Sequence, residues 1–101
     1  MKLTIFEKKV LNLVKKIPRG KLTTYKLLAK AVGQSKAARA VGNALNKNPR
    51  LIKISCHRVI RSDGRLGGYR LGWKRKMLLL KREGIEFEKN KVKNFKKYIQ
   101  N

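Results

Sequence analysis

The chain has 101 residues and a formal net charge of +23, from 28 Lys+Arg against 5 Asp+Glu. This length holds one domain rather than two, and 42% hydrophobic residues is enough for a packed core, which excludes wholesale disorder. A single cysteine excludes an internal disulfide, and one Cys with one His argues against a metal site, which needs several such ligands.

In chain order, Phe6, Val10, Leu13, Val14 and Ile17 recur at three- and four-residue spacing and predict a helix over Leu3 to Ile17, ended by Pro18 and Gly20. Thr24 can cap a second helix, Tyr25 to Val32, closed by Gly33. Ser35 can cap a third, Lys36 to Asn46, which Asn48-Pro49 stops. Two helices joined across Gly33-Gln34 make a helix-turn-helix candidate. In the second of them Ala37, Ala38, Ala40 and Ala44 would allow close approach to a groove, with Lys36, Arg39 and Lys47 as cations.

After Pro49 the texture changes. Leu51 to Ile54 is short and apolar, and Val59-Ile60-Arg61 leads into Ser62-Asp63-Gly64, a hairpin turn signal. Gly67-Gly68-Tyr69 and Gly72 form a flexible loop. A last helix runs from Trp73 to Glu83 with Trp73, Met77 and Leu80 on one face, and Gly84 follows as its C′ residue. The expected fold is mainly α: a winged-helix, helix-turn-helix domain with a small β-hairpin wing. The expected division is a catalytic domain over residues 1–88 and a basic, fraying tail over 89–101.

The charge balance speaks to partners more than to fold. No acid occurs between Glu7 and Asp63, so DNA or RNA is the expected partner, through phosphate contacts and counterion release, ahead of an anionic membrane surface. No stretch approaches the ~20 apolar residues of a membrane span, and Met1 to Glu7 lacks a secretion-signal core. With the free thiol, this places the chain in a reducing compartment, cytoplasmic or, in a eukaryote, nuclear.

The only cysteine, Cys56, adjoins the only histidine, His57, in Ile54-Ser55-Cys56-His57-Arg58-Val59-Ile60. A thiol reacts as its thiolate, and neighbouring cations and a nearby base favour that form. Adjacent residues point apart on a strand or a helix, so His57 needs a sharp turn or a bridging water to take the Cys56 proton. Its other ring nitrogen needs a carboxylate to fix the tautomer. Glu83, ending a helix that packs on the core, is the strongest candidate. Asp63 reads as a turn residue, and Glu86 and Glu88 alternate in the tail. The same residues, taken one at a time, also fit a buried structural cysteine beside a chance histidine.

The motif resembles the active-site signature of the O6-alkylguanine-DNA alkyltransferases, usually Pro-Cys-His-Arg-Val/Ile. Lys36-Ala37-Ala38-Arg39-Ala40-Val41-Gly42 is similar to the family's recognition helix. Asn48, eight residues before Cys56, is similar to its hinge asparagine. Thr24-Tyr25, Gly68-Tyr69 and Glu83-Gly84 extend the match over Phe6 to Phe87. The resemblance implies the catalytic domain alone, acting as a monomer without cofactor or metal on double-stranded DNA containing O6-alkylguanine. It implies that Cys56 accepts the alkyl group, once per molecule. His57 deprotonates Cys56 through a water, Glu83 orients His57, and Asn48 braces the turn. Tyr25 helps to rotate the nucleotide and donates a proton to the departing guanine. Arg39 fills the gap left by the flipped base, while Ser35, Lys36, Ala37 and Ala38 contact DNA, the helix facing the minor groove. Tyr69, Gly68, Leu45 and Val59 line the guanine pocket. Two departures carry expectations: Ser55 in place of proline loosens the turn before Cys56, and Leu71 in place of glycine narrows the pocket. Relatives that bind damage without reacting carry Trp or another residue at the cysteine position. Charge and a helix-turn-helix alone would equally fit such a binder, or an architectural winged-helix protein.

Overall fold

The computed structural model describes residues 3–99. Helix α1 (Ile5–Lys15) starts at Thr4, whose hydroxyl accepts the Glu7 N–H while the Glu7 carboxylate accepts the Thr4 N–H. This reciprocal cap satisfies two orphan donors at once. The inward stripe is Val10, Leu11 and Val14, continued by Ile17; Leu11 joins the expected set, and Phe6 and Leu13 are only half-buried.

Helix α2 (Tyr25–Ala31) is capped by the Thr24 hydroxyl, which accepts the Leu27 N–H at 3.0 Å. Gly33 closes it at φ +80°, where a side chain would be strained, and the Gly33 and Gln34 N–H groups reach back to Lys30 O and Ala29 O. Helix α3 (Ala38–Asn46) starts two residues later than expected. Ser35 caps nothing: the turn after Gly33 runs on until the Ala37 N–H bonds Gln34 O at 2.8 Å, which leaves Ala37 at the N-cap with no side-chain bond.

Two strands of two residues each form the seam of the molecule. β1 (Thr23–Thr24) and β2 (Val59–Ile60) pair in parallel, Thr23 opposite Val59 and Thr24 opposite Ile60. Side chains alternate along a strand, so Val59 enters the core under α1, α2 and α3, and Ile60 enters a second core with Leu22, Leu66, Leu80 and Ile85. β2 has no hairpin partner downstream. The turn at Ser62-Asp63-Gly64 does form, closed by Gly64 N–H to Arg61 O at 3.0 Å and Arg61 N–H to Arg65 O at 2.9 Å. The chain then leaves as a loop, and among the described residues β2 pairs only with β1.

The antiparallel hairpin lies instead in the stretch whose composition predicts a fraying tail. β3 (Phe87–Glu88) pairs with β4 (Lys91–Val92). Val92 and Tyr98 are buried in the second core, and the Leu22 N–H bonds Tyr98 O at 2.9 Å. Lysines at every second or third position mask this in composition, while the apolar residues between them all turn inward. Helix α4 (Trp73–Arg82) presents Lys76, Met77 and Leu80 to the interior, whereas Trp73 is 52% exposed. Glu83 and Gly84, at φ +89°, end it as expected.

If the C-terminal hairpin is part of the core, Val92→Ala should lower the unfolding free energy by about 2 kcal/mol. Urea denaturation would read this; a fraying segment would give no change.

Candidate active site and DNA-facing cleft

Between α3 and β2 the chain reverses through a loop closed by one buried amide. Asn48 Nδ2 donates to Ile54 O at 2.8 Å and to Cys56 Sγ at 3.3 Å, while its Oδ1 accepts the Arg50 N–H at 2.8 Å. Inside the loop Ile52 sits at φ 77°, a conformation that a β-branched residue adopts only under constraint. Ser55 does not loosen this turn. Its buried hydroxyl donates to Val14 O at 2.9 Å and ties the turn to the end of α1.

Cys56–Arg58 form a short 3₁₀ turn. His57 is 1% exposed, and its Nε2 lies 2.9 Å from Glu83 Oε2. Arg58, which the sequence presents only as part of the motif, grips the same carboxylate: Nε to Oε1 and Nη2 to Oε2, both at 2.8 Å. Its Nη1 donates to Ile17 O at 2.7 Å, and the Gly20 N–H adds a 3.3 Å bond to Oε1. Burial alone would raise the Glu83 pKa. The Arg58, His57 and Gly20 donors outweigh it and hold the carboxyl at about 2. The ionised Glu83 accepts from Nε2–H, so in the neutral ring Nδ1 is the basic nitrogen. That atom is buried and has no hydrogen-bond partner among the protein's described groups.

The reacting groups rest neutral. Burial lowers the His57 pKa against the opposing pull of Glu83. Burial raises the Cys56 thiol against the Asn48 hydrogen bond and the charge of Lys76. The expectation of a thiol activated by surrounding cations is therefore corrected: desolvation prevails, and Cys56 is a thiol that must lose its proton during reaction.

Cys56 opens into a cavity of about 350 Å³ lined by Tyr25, Ala38, Arg39, Leu45, Gly68, Tyr69 and Arg70, among others. Most residues expected at the site thus converge, with His57, Glu83 and Asn48 behind the thiol. Three expectations fail here, while Ser35 and Lys36 are exposed beside the cavity. Val59 faces the first core with no exposure. Ala44 is fully buried in that core rather than turned toward a groove, and the half-buried Ala37 packs against its edge. Leu71 is exposed and outside the lining, so it does not narrow the cavity. Ser35 and Lys36 lie on an adjoining cleft with Tyr25 and Arg61. A larger hollow of about 640 Å³ at the C-terminal hairpin contains none of these residues.

The cavity loop is held by a residue that sequence reasoning missed. Lys76 is fully buried, and its Nζ donates to Leu66 O at 2.5 Å, Gly68 O at 3.0 Å and Tyr25 Oη at 3.4 Å. Burial pushes its pKa down to about 7, with Cys56 opposing. A signal was available: Lys76 lies four residues before Leu80 and so shares its inward face. Tyr25 donates to Gly68 O at 3.2 Å, and burial followed by the Cys56 charge raises it to about 12, so the phenol keeps its proton. Gly67 permits this closeness, because a Cβ there would meet the Tyr25 ring at 2.8 Å. Arg70 is a second residue of this kind; its Nη1 donates to Asn46 O at 3.3 Å and Asn48 O at 2.9 Å, closing the end of α3.

The structure sets a helix-turn-helix beside a buried cysteine–histidine–carboxylate array at a cleft. The family model for the 6-O-methylguanine DNA methyltransferase DNA-binding domain matches residues 5–85. The chain belongs to that family. It is 51% identical over 81 residues to a methylated-DNA–protein-cysteine methyltransferase of Methanosarcina acetivorans, covering 80% of this chain and 52% of the relative. The chain thus spans about half the length of that curated relative. Among solved structures, Mycobacterium tuberculosis OGT in complex with DNA superposes with a TM-score of 0.79 at 41% identity, over 82% of this chain and 51% of that one. S. pombe Atl1 in complex with damaged DNA containing O6-carboxymethylguanine superposes with a TM-score of 0.83 at 32% identity, over 100% of this chain and 99% of that one.

The Glu83 network makes stability pH-dependent. A carboxyl whose folded pKa is depressed contributes stability above its unfolded pKa and loses it as pH falls through the folded value, here from 4.5 to about 2. His57, also lowered in the fold, adds a loss below its ordinary value of 6.5. Glu83→Gln should cost roughly 3–5 kcal/mol at neutral pH, since it strands Arg58. It should also flatten the acid limb below pH 4.5, as followed by denaturation at a series of pH values.

Proposed function

We propose that this chain repairs O6-alkylguanine in double-stranded DNA by moving the alkyl group irreversibly to Cys56, one molecule consumed per lesion. The observation that carries the reading is the Cys56 thiol at a base-sized cavity, backed by the His57–Glu83 pair. The methyltransferase names of the relatives support it. O6 is buried in the base stack, so the nucleotide must be extruded, at a few kcal/mol. Arg39, on the cavity rim beside Ala38, enters the duplex and fills the vacancy. The turn after β2 acts as the wing of a winged-helix domain, and the protein works as a monomer without metal or cofactor.

The thiol proton passes through a water to His57 Nδ1, and Glu83 stabilises the imidazolium. The Cys56 sulfur attacks the alkyl carbon, an S–C bond forms as the C–O6 bond breaks, and Tyr25 supplies a proton to the departing guanine. The thioether is a poor leaving group, which makes the transfer final.

A second reading, a non-catalytic damage sensor, is favoured by the full-length superposition on Atl1. Intact mass after incubation with an O6-methylguanine duplex separates the two: a gain of one CH₂ on Cys56 supports transfer, and lesion-selective binding without a gain supports the sensor. Cys56→Ala should abolish the adduct and keep DNA affinity. Arg39→Ala should slow transfer by about tenfold or more, the effect of destabilising the flipped state by ~1.4 kcal/mol, with a smaller change in affinity for undamaged duplex; equal single-turnover rates would dismiss the finger role.

A further inference from the structure

The cavity holding Cys56 is one of three hollows that meet edge to edge on one face. The second contains Lys26, Lys36 and Arg61 and shares Tyr25 and Ala38 with the first. The third, lined by Arg61, Arg65, Leu66, Gly67, Trp73 and Asn90, shares Arg61 with the second, and its Gly67 adjoins Gly68 of the first. A continuous track therefore runs from the start of α3, across the turn after β2, to the β3–β4 turn.

At the far end of this track Asn90 joins the lining from beyond residue 85, where the family match stops. This end is a built surface. The Val92 N–H bonds Gly64 O at 2.9 Å, and Arg65 bridges Lys91 in antiparallel fashion. This presents Asn90 between Lys89 and Lys91 beside two arginines. Two acids lie at this end: Glu88, opposite Lys91 in the hairpin, and Asp63, which lies between Arg61 at 3.6 Å and Arg65 at 3.9 Å and holds both guanidinium groups over the turn. Trp73 forms the wall, 52% exposed, with Lys74 Nζ 5.7 Å from its ring centre. Cations spaced along a groove with one aromatic wall suit a nucleic-acid backbone, phosphates meeting the charges and a sugar meeting the ring.

We infer that the third hollow is a second DNA-backbone contact, in which Arg61 and Arg65 meet phosphates and Trp73 is covered. This rests on the alkyltransferase reading for the choice of DNA as partner and extends its footprint past the helix-turn-helix. The C-terminal hairpin is then part of the DNA interface as well as of the core.

Trp73 is the only tryptophan, so intrinsic tryptophan fluorescence reports on this hollow alone. Acrylamide quenching is measured with and without a saturating undamaged duplex, and the salt dependence of affinity is measured for the protein and for an Arg61→Gln/Arg65→Gln variant. The expected results are a quenching constant well below that of the free protein and a log K against log[salt] slope shallower by about 2 in the variant, near 0.9 for each phosphate no longer neutralised. Quenching unchanged by DNA, or a slope unchanged by the substitutions, overturns the inference. Adduct formation on an O6-methylguanine duplex at saturating concentration is followed in both proteins. Its absence from the unsubstituted protein would refute the repair reading while leaving the backbone contact judged by the other two measurements.

Discussion

The Glu83 carboxylate joins the parts of this site. It stands at the C-terminal end of α4, where the helix dipole disfavours an anion, and it is nearly buried. It is stable there because the Arg58 fork, His57 Nε2 and the Gly20 N–H all converge on it. Through Arg58 the same network reaches Ile17 beyond α1. One ionised group thus fixes the end of α4, the 3₁₀ turn carrying Cys56 and His57, and the loop after α1. Without it, two buried cationic or polar side chains would lose their partner, which is costlier than never having buried them.

Charge is distributed in two regimes. The surface carries the excess positive charge, while the groups at the cavity lie in low dielectric and rest neutral: a thiol, a neutral imidazole and a phenol raised to about 12. Lys76 is the buried cation at the boundary. Its bonds go to two carbonyls and a phenol rather than a carboxylate, so it titrates near neutrality while organising the loop that closes the cavity.

Local signals are legible in proportion to how local their physics is. The α1 stripe, the Thr24 cap, the Gly33 and Gly84 stops and the α2–α3 turn depend on residues within one or two helical turns. Cys56, His57, Asn48, Tyr25, Arg39 and Tyr69 follow from a motif, and the cavity or the network behind it contains each of them. The failures have non-local causes. The hairpin expected after Ile60 gives way to β1, a strand from far earlier in the chain. The expected fraying tail is instead a packed hairpin, because Val92 and Tyr98 find a core whose other half is Leu22, Ile60 and Leu80. Lys76 looks like any other lysine of a basic helix, since a single residue type does not announce a buried ring of acceptors.

The sequence by itself determined the helices, the helix-turn-helix, the adjacency of the one cysteine and the one histidine, and the large positive charge, because these follow from periodicity, capping chemistry, residue type and charge count. Tertiary structure decided which carboxylate serves His57 and that Arg58 shares it. It decided that the thiol rests protonated, and that the C-terminal lysines lie beside Arg61 and Arg65 on the face of the cavity. Those outcomes depend on burial and on distances between residues remote in sequence, and desolvation and hydrogen-bond geometry exist only once the chain has closed around them.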